Sequence, residues 1–177
     1  MFILRYIKIV FIFSFFIFLP SNGKAEMKVA FVEMNILLSQ SVAGKSLTEQ
    51  INIIDKKNRE KFNAIKNKLE IEKKDLLKKK NILSTDEYKN KITDLNKNFN
   101  FAQADIKNKI SVIQSKRNEG MKKILNELNI LLSEYSNKNQ LSFIIDHKNI
   151  IIGKTDLNIT GEILKSLNKK MPKIDIN

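Results

Sequence analysis

Lys45-Ser46-Leu47-Thr48-Glu49-Gln50-Ile51-Asn52-Ile53-Ile54 opens a stretch that reaches Leu83 without a glycine or proline. Along it apolar residues recur at Leu47, Ile51, Ile54, Phe62, Ile65, Leu69, Leu76 and Leu83. These steps of three or four, with gaps, follow one face of an α-helix. Ile54, Ile65 and Leu76 stand 11 apart, a spacing that suits a nearly straight helix better than a strict heptad. Lys and Glu fill the other faces, so the stripe is too thin for burial in a globule and needs one partner along one side.

That partner follows directly. Ser84 and Glu87 have capping-box spacing, which starts a helix and places a turn around residues 81–84. The second helix is predicted to run to about Asn137, on a stripe that includes Tyr88, Ile92, Leu95, Phe99, Ile106, Ile110 and Ile113 and thickens after Ile124. At 1.5 Å per residue, 45–83 would be roughly 58 Å long. The pattern therefore predicts an antiparallel helical hairpin several times longer than it is wide.

Outward from the hairpin, Lys28–Glu33 is a short apolar run between charges and predicts a buried strand. Asn35 is placed to cap a brief helical turn, and Ser39–Gly44 reads as a loop. On the far side Leu141–Ile145 reads as a strand, 146–149 as a turn and Ile150–Ile152 as its hairpin mate. Thr160 is placed to cap a last helix, Gly161 to about Lys170, facing Ile163, Leu164 and Leu167 inward. The expected fold is mainly α with a small β body. A single domain, 26–177, divides into a body (26–44 and 124–177) and an inserted hairpin (45–123).

The chain begins with Arg5 and Lys8, an apolar run of 11 residues from Ile9 to Leu19, then Pro20 and Gly23-Lys24-Ala25. A spanning helix needs about 20 apolar residues. The segment reads instead as a secretory signal peptide over 1–25, cleaved after Ala25. This implies export to the periplasm and argues against nucleic acid as a partner. Of the formal net charge of +13, residues 55–123 carry 20 basic against 10 acidic groups, whereas 124–177 carry 7 against 6. The excess belongs to the hairpin and gathers at its tip, in Lys73, Lys74, Lys78, Lys79 and Lys80, with Lys89 and Lys91 across the turn. Such a cluster attracts phosphates, anionic lipid headgroups or acidic polypeptide.

No cysteine is present, which removes disulfides, thiol catalysis and Cys-based metal sites. The single histidine, His147, lies in a polar turn with no nucleophile to serve. Gly44-Lys45-Ser46 resembles the end of a phosphate-binding loop, but Ser39 stands where its first glycine belongs. The sequence thus implies a protein that is not an enzyme and that carries no cofactor or metal.

Both ends of the mature chain resemble the Skp/OmpH-type periplasmic chaperones. The likeness rests on Lys28-Val29-Ala30-Phe31-Val32-Glu33-Met34-Asn35 near the start. Near the end it rests on Leu141–Asp146, Ile150–Ile152 and Asn158-Ile159-Thr160-Gly161-Glu162-Ile163-Leu164. Asn158 replaces the family's usual acidic residue, and Ile152-Gly153 stands where an aromatic or alanine is common. The resemblance implies a homotrimer with a shared β body, in which Val29, Phe31, Phe143, Ile145 and Ile151 lie at or near the interface. Three hairpins then enclose a cavity that holds unfolded outer-membrane β-barrel proteins without ATP. Phe62, Ile65, Leu69, Leu76, Phe99, Phe101 and Ile106 are the expected client contacts on the hairpin. The competing reading is a structural coiled-coil adaptor of the envelope that binds a folded partner or anionic lipid, and binding of lipopolysaccharide stays open.

Overall fold

A computed structural model describes residues 27–176; the leader expected over 1–25 lies outside them. The elements run β1 (Val29–Val32), α1 (Met34–Gln40), α2 (Val42–Lys78), α3 (Thr85–Asn139), β2 (Phe143–Asp146) and α4 (Thr160–Lys170), with single 3-10 turns at His147–Asn149 and Thr155–Leu157. α2 and α3 form the antiparallel hairpin, about 55 Å long on the α2 side at 1.5 Å per residue.

The reversal between them is closed locally. α2 ends where the Lys79 amide donates to the carbonyls of Asp75 and Leu76, and Leu83 N–H then donates back to the Lys79 carbonyl. The expected capping box starts α3: the Glu87 amide donates to Ser84 Oγ at 3.3 Å, and Ser84 N–H donates to Glu87 Oε2 at 3.1 Å. Below the tip the helices meet along a seam in which Leu69, Leu76 and Ala102 are buried. Ion pairs contribute little to it. Lys56–Glu60, Lys66–Glu70 and Lys68–Glu72 are 3.9–4.0 Å apart and exposed, with the lysine N-terminal to its partner, the weaker order for a pair four residues apart.

The hydrophobic core lies at the other end. It packs Ala30 and Val32 of β1 and Leu37 of α1 against Leu47, Ile51, Ile113, Ile124, Leu128 and Leu131 of the hairpin root and Ile163 and Leu167 of α4. No buried member of this core comes from residues 52–112 among the described residues. β1 and β2 pair in parallel, Val29 opposite Phe143 through Val32 opposite Asp146. Parallel neighbours require a crossover, and here the whole hairpin is that crossover.

Four local expectations are corrected. First, Ile150–Ile152 is not a strand. Asp146 Oδ1 accepts the Lys148 amide and the His147 carbonyl accepts the Ile150 amide at 2.9 Å, so the chain closes a 3-10 turn and does not run back along β2. Gly153 is then carried against the Phe31 ring, where an added Cβ would lie 3.3 Å from Cε1. Second, Ser39–Gly44 is not a loop. α1 and α2 are separated by Ser41 alone, whose hydroxyl accepts the Gly44 amide at 3.0 Å. A Cβ on Gly44 would come within 1.7 Å of the Leu38 carbonyl oxygen, so only glycine allows this junction. Third, Thr160 does not cap α4. Its hydroxyl accepts the Glu33 amide at 2.9 Å, tying β1 to α4, while Asn158 Oδ1 accepts the Thr160 amide. Fourth, Asn35 lies inside α1 and does not cap it; Glu33 holds the N-cap position without a side-chain bond to the helix, its carboxylate instead accepting from Asn158 Nδ2 at 3.1 Å.

α4 is stitched to the other elements elsewhere too. Asn168 Oδ1 accepts the Val42 amide at 2.8 Å, satisfying a first-turn donor of α2. Burial, together with the Glu162 carboxylate that accepts its hydroxyl, pushes the Tyr135 phenol above its usual range.

Candidate functional site

With the core gathered at the root, the hairpin between 52 and 112 is nearly all surface. Of the expected contact residues, Leu69 and Leu76 are buried in the seam, Phe62, Phe99 and Ile106 are half-buried, and Ile65 and Phe101 are exposed. The seam residues hold the two helices together. Phe101, 63% exposed, presents a whole ring beside Asn100 and Ala104.

Sequence reasoning missed Ile53, Ile71, Leu77, Ile82 and Val112, all exposed, and it placed on the seam stripe Ile110, which is 49% exposed. Ile53 and Leu77 each adjoin a buried or half-buried stripe residue, Ile54 and Leu76, and consecutive helical residues point about 100° apart. An apolar residue next to the stripe is therefore turned out of the seam. Searching the leftover apolar residues for a second face would have found them. The most exposed of these is Ile82, at the tip.

The tip lysines expected from the sequence, Lys73, Lys74, Lys78, Lys79, Lys80, Lys89 and Lys91, are all exposed. Asp75 pairs with Lys78 at 3.3 Å. Glu87 is engaged by the capping box: the Ser84 hydroxyl and backbone amide, with Lys91 nearby, hold its carboxyl below its ordinary value. The tip thus keeps a positive surface broken by exposed apolar side chains.

The body carries a second exposed apolar area. Of the residues expected at an interface, Phe31 is buried against β2 and the His147 ring (centroids 5.1 Å apart) and Val29 is half-buried. Phe143, Ile145 and Ile151 are exposed, Ile151 completely, and neighbouring Ile152 is 91% exposed. Sequence reading placed Ile151 and Ile152 in a strand; both instead stand exposed in the segment after the 3-10 turn.

Gly44-Lys45-Ser46 forms no phosphate cradle, since Ser41 Oγ occupies the Gly44 amide and the Ser41 carbonyl occupies that of Lys45. Among the described residues no cluster of His, Asp and Glu could hold a metal ion, and no helix is long and apolar enough to cross a membrane.

A long, surface-rich helical hairpin carried on a small core with a two-stranded sheet places the chain among mainly helical proteins with an inserted coiled hairpin. Within that class the chain belongs to the OmpH-like outer membrane protein family, which matches residues 28–167. Its fold is similar to the crystal structure of a Caulobacter crescentus protein described as a candidate outer membrane chaperone (OmpH-like). The two share 16% identity at a TM-score of 0.79, over 89% of this chain and 94% of that one. A comparison with the curated proteins found no match.

Proposed function

We propose that this protein is a periplasmic chaperone of the holdase type, which keeps unfolded outer-membrane β-barrel proteins soluble without ATP. One observation carries the reading. Residues 52–112 give no buried side chain to the core, yet expose Ile53, Ile65, Ile71, Leu77, Ile82, Phe101, Ile110 and Val112 among lysines. Scattered apolar side chains on a charged helix make many weak contacts that can exchange, which is what retention and release of a varied unfolded chain requires. The excess of basic groups keeps the complex soluble and draws in acidic clients.

Assembly belongs to the same reading. A two-stranded sheet is marginal alone, and an open strand edge invites pairing. Phe143 and Ile145 of β2, with Ile151 and Ile152 a few residues on, leave apolar side chains exposed on the body. Three copies joined there would place three hairpins around one cavity.

The test is light scattering of a diluted, unfolded β-barrel protein. Suppression of aggregation that saturates near one assembled protein per client, unchanged by ATP, is expected. Unchanged scattering at a molar excess of trimer would reject the reading. The lysine-rich tip favours one second reading, attachment to an anionic surface such as lipid headgroups or lipopolysaccharide; sedimentation with anionic and neutral vesicles separates it.

A further inference from the structure

Beyond α4 the chain runs back along the root of the hairpin as an extended segment without helix or strand, Met171 to Ile176. Its carbonyls are received by side chains from both long helices. Gln50 Nε2 on α2 donates to the Ile174 carbonyl at 2.7 Å. On α3, Lys123 Nζ donates to the Asp175 carbonyl at 2.9 Å and Lys116 Nζ to that of Ile176 at 2.7 Å. Ile174 and Ile176 are buried, while Lys173 and Asp175 are exposed. Gly120 makes room: a Cβ there would lie 3.1 Å from Ile176 Cγ2 and 2.5 Å from Leu47 Cδ1.

Ile174 and Ile176 join the hydrophobic core, and two further features of the contact suit recognition. The donors bind main-chain carbonyls, which every polypeptide has, so the polar part of the contact is indifferent to sequence. The buried side chains stand two residues apart, the period of a β-strand. The tail also lies past residue 167, where the family match ends.

We propose that the groove between Gln50 on α2 and Lys116, Gly120 and Lys123 on α3 is a binding site for an extended polypeptide with apolar side chains at alternate positions, and that residues 172–176 fill it as a tethered internal ligand. The proposal deepens the holdase reading and rests on it for the identity of the partner: a strand-forming segment of an unfolded β-barrel protein has this alternation and free carbonyls. A short tether holds the tail at an effective concentration in the millimolar range. A free segment therefore enters poorly, whereas one already held by the hairpin competes on equal terms.

The probe is a fluorescein-labelled peptide of residues 170–176, followed by anisotropy with three full-length proteins: unaltered, Ile174→Ser/Ile176→Ser, and that pair combined with Gln50→Ala/Lys116→Ala. Releasing the tail should tighten peptide binding by about tenfold or more, and removing two of the three donors, Gln50 and Lys116, should take away most of the gain. A tail-released protein that stays folded by circular dichroism yet binds no more tightly than the unaltered one overturns the proposal. Should that variant unfold, the chain's lack of cysteine allows a fluorophore at Lys173→Cys in the otherwise native protein. Saturating peptide or unfolded β-barrel polypeptide should shift its emission; no shift with saturating peptide rejects the groove. Peptide binding is read without any client, so a failure to suppress aggregation would reject the holdase reading and leave the groove supported.

Discussion

Removing residues 60–110 and joining the helices through a six-residue Gly-Ser turn separates the two halves of the molecule. Residues 59 and 111 lie at similar heights on the hairpin, as the approach of Leu47 to Gly120 indicates. Packed helices are about 8–10 Å apart, a gap that six residues, at roughly 3.3 Å each, span easily. The deletion takes no buried residue from the core, since Leu47, Ile51 and Ile113 remain. The buried residues lost are Leu69, Leu76 and Ala102, which hold only the removed part of the seam. The body's melting temperature, and its oligomeric state by sedimentation equilibrium, should therefore match those of the full chain. The capture surface, in contrast, loses Ile65, Ile71, Leu77, Ile82, Phe101 and Ile110. Half-burying each against a client contributes about 0.8–1.5 kcal/mol, half the value of a full side chain. The summed loss of roughly 5–9 kcal/mol is an upper bound before ordering costs; with those costs taken off, client affinity should fall by about a hundredfold. Light scattering of a diluted β-barrel protein and titration of a labelled client provide the readings. A truncated protein that still protects the client as the full chain does would refute capture by the hairpin. One whose body unfolds would refute the placement of the core and favour a spacer role.

Gly44→Ala sets a methyl group 1.7 Å from the Leu38 carbonyl oxygen; the α1–α2 junction must shift, at about 1–3 kcal/mol, and calorimetry should show a melting temperature lower by about 3–10 °C. Lys78, Lys79 and Lys80 changed together to Gln should weaken client capture at low salt and little at high salt; equal capture at low ionic strength would leave the tip as a merely solvated surface. Glu87 has a lowered carboxyl pKa in the folded chain, from an ordinary 4.5, so its contribution to the cap is full above that value and is lost as pH falls through the lowered one. Hydrogen exchange at the first amides of α3 should quicken over that acid range, and Glu87→Gln should flatten the response. Gln140 ends α3 at φ 55°, a left-handed conformation that favours glycine; Gln140→Gly should raise the melting temperature slightly, and a clear fall would contradict that account.

The long helices, their antiparallel return and the capping box at the tip were legible because each depends on residues a few positions apart. Periodicity around 3.6, the absence of glycine and proline from 45–83, and the spacing of Ser84 and Glu87 are all local. So is the concentration of positive charge between 55 and 123. The likeness of both chain ends to one family was legible as well, and the family match over 28–167 bears it out.

Tertiary structure decided the rest. The sequence could say that Lys28–Glu33 and Leu141–Ile145 were strands, but not that they pair in parallel with each other. The hydrogen-bonded partner of a strand lies beyond the reach of its own pattern. Thr160 looks like a cap until Glu33 arrives from 127 residues away to use its hydroxyl, and the first turn of α2 is satisfied by Asn168, 126 residues on. Which apolar residues of the hairpin are spent in the seam and which are offered to solvent depends on the rotation of one helix against the other. For that reason Leu69 and Leu76 are buried while Ile71 and Leu77 are exposed. The tail at Ile174 and Ile176 was invisible as a packed element because nothing in five residues announces a groove formed by Gln50, Lys116 and Gly120. Local sequence sets what each segment can become. Contacts between segments far apart in the chain set which of its groups remain free to act, because only they decide what is buried.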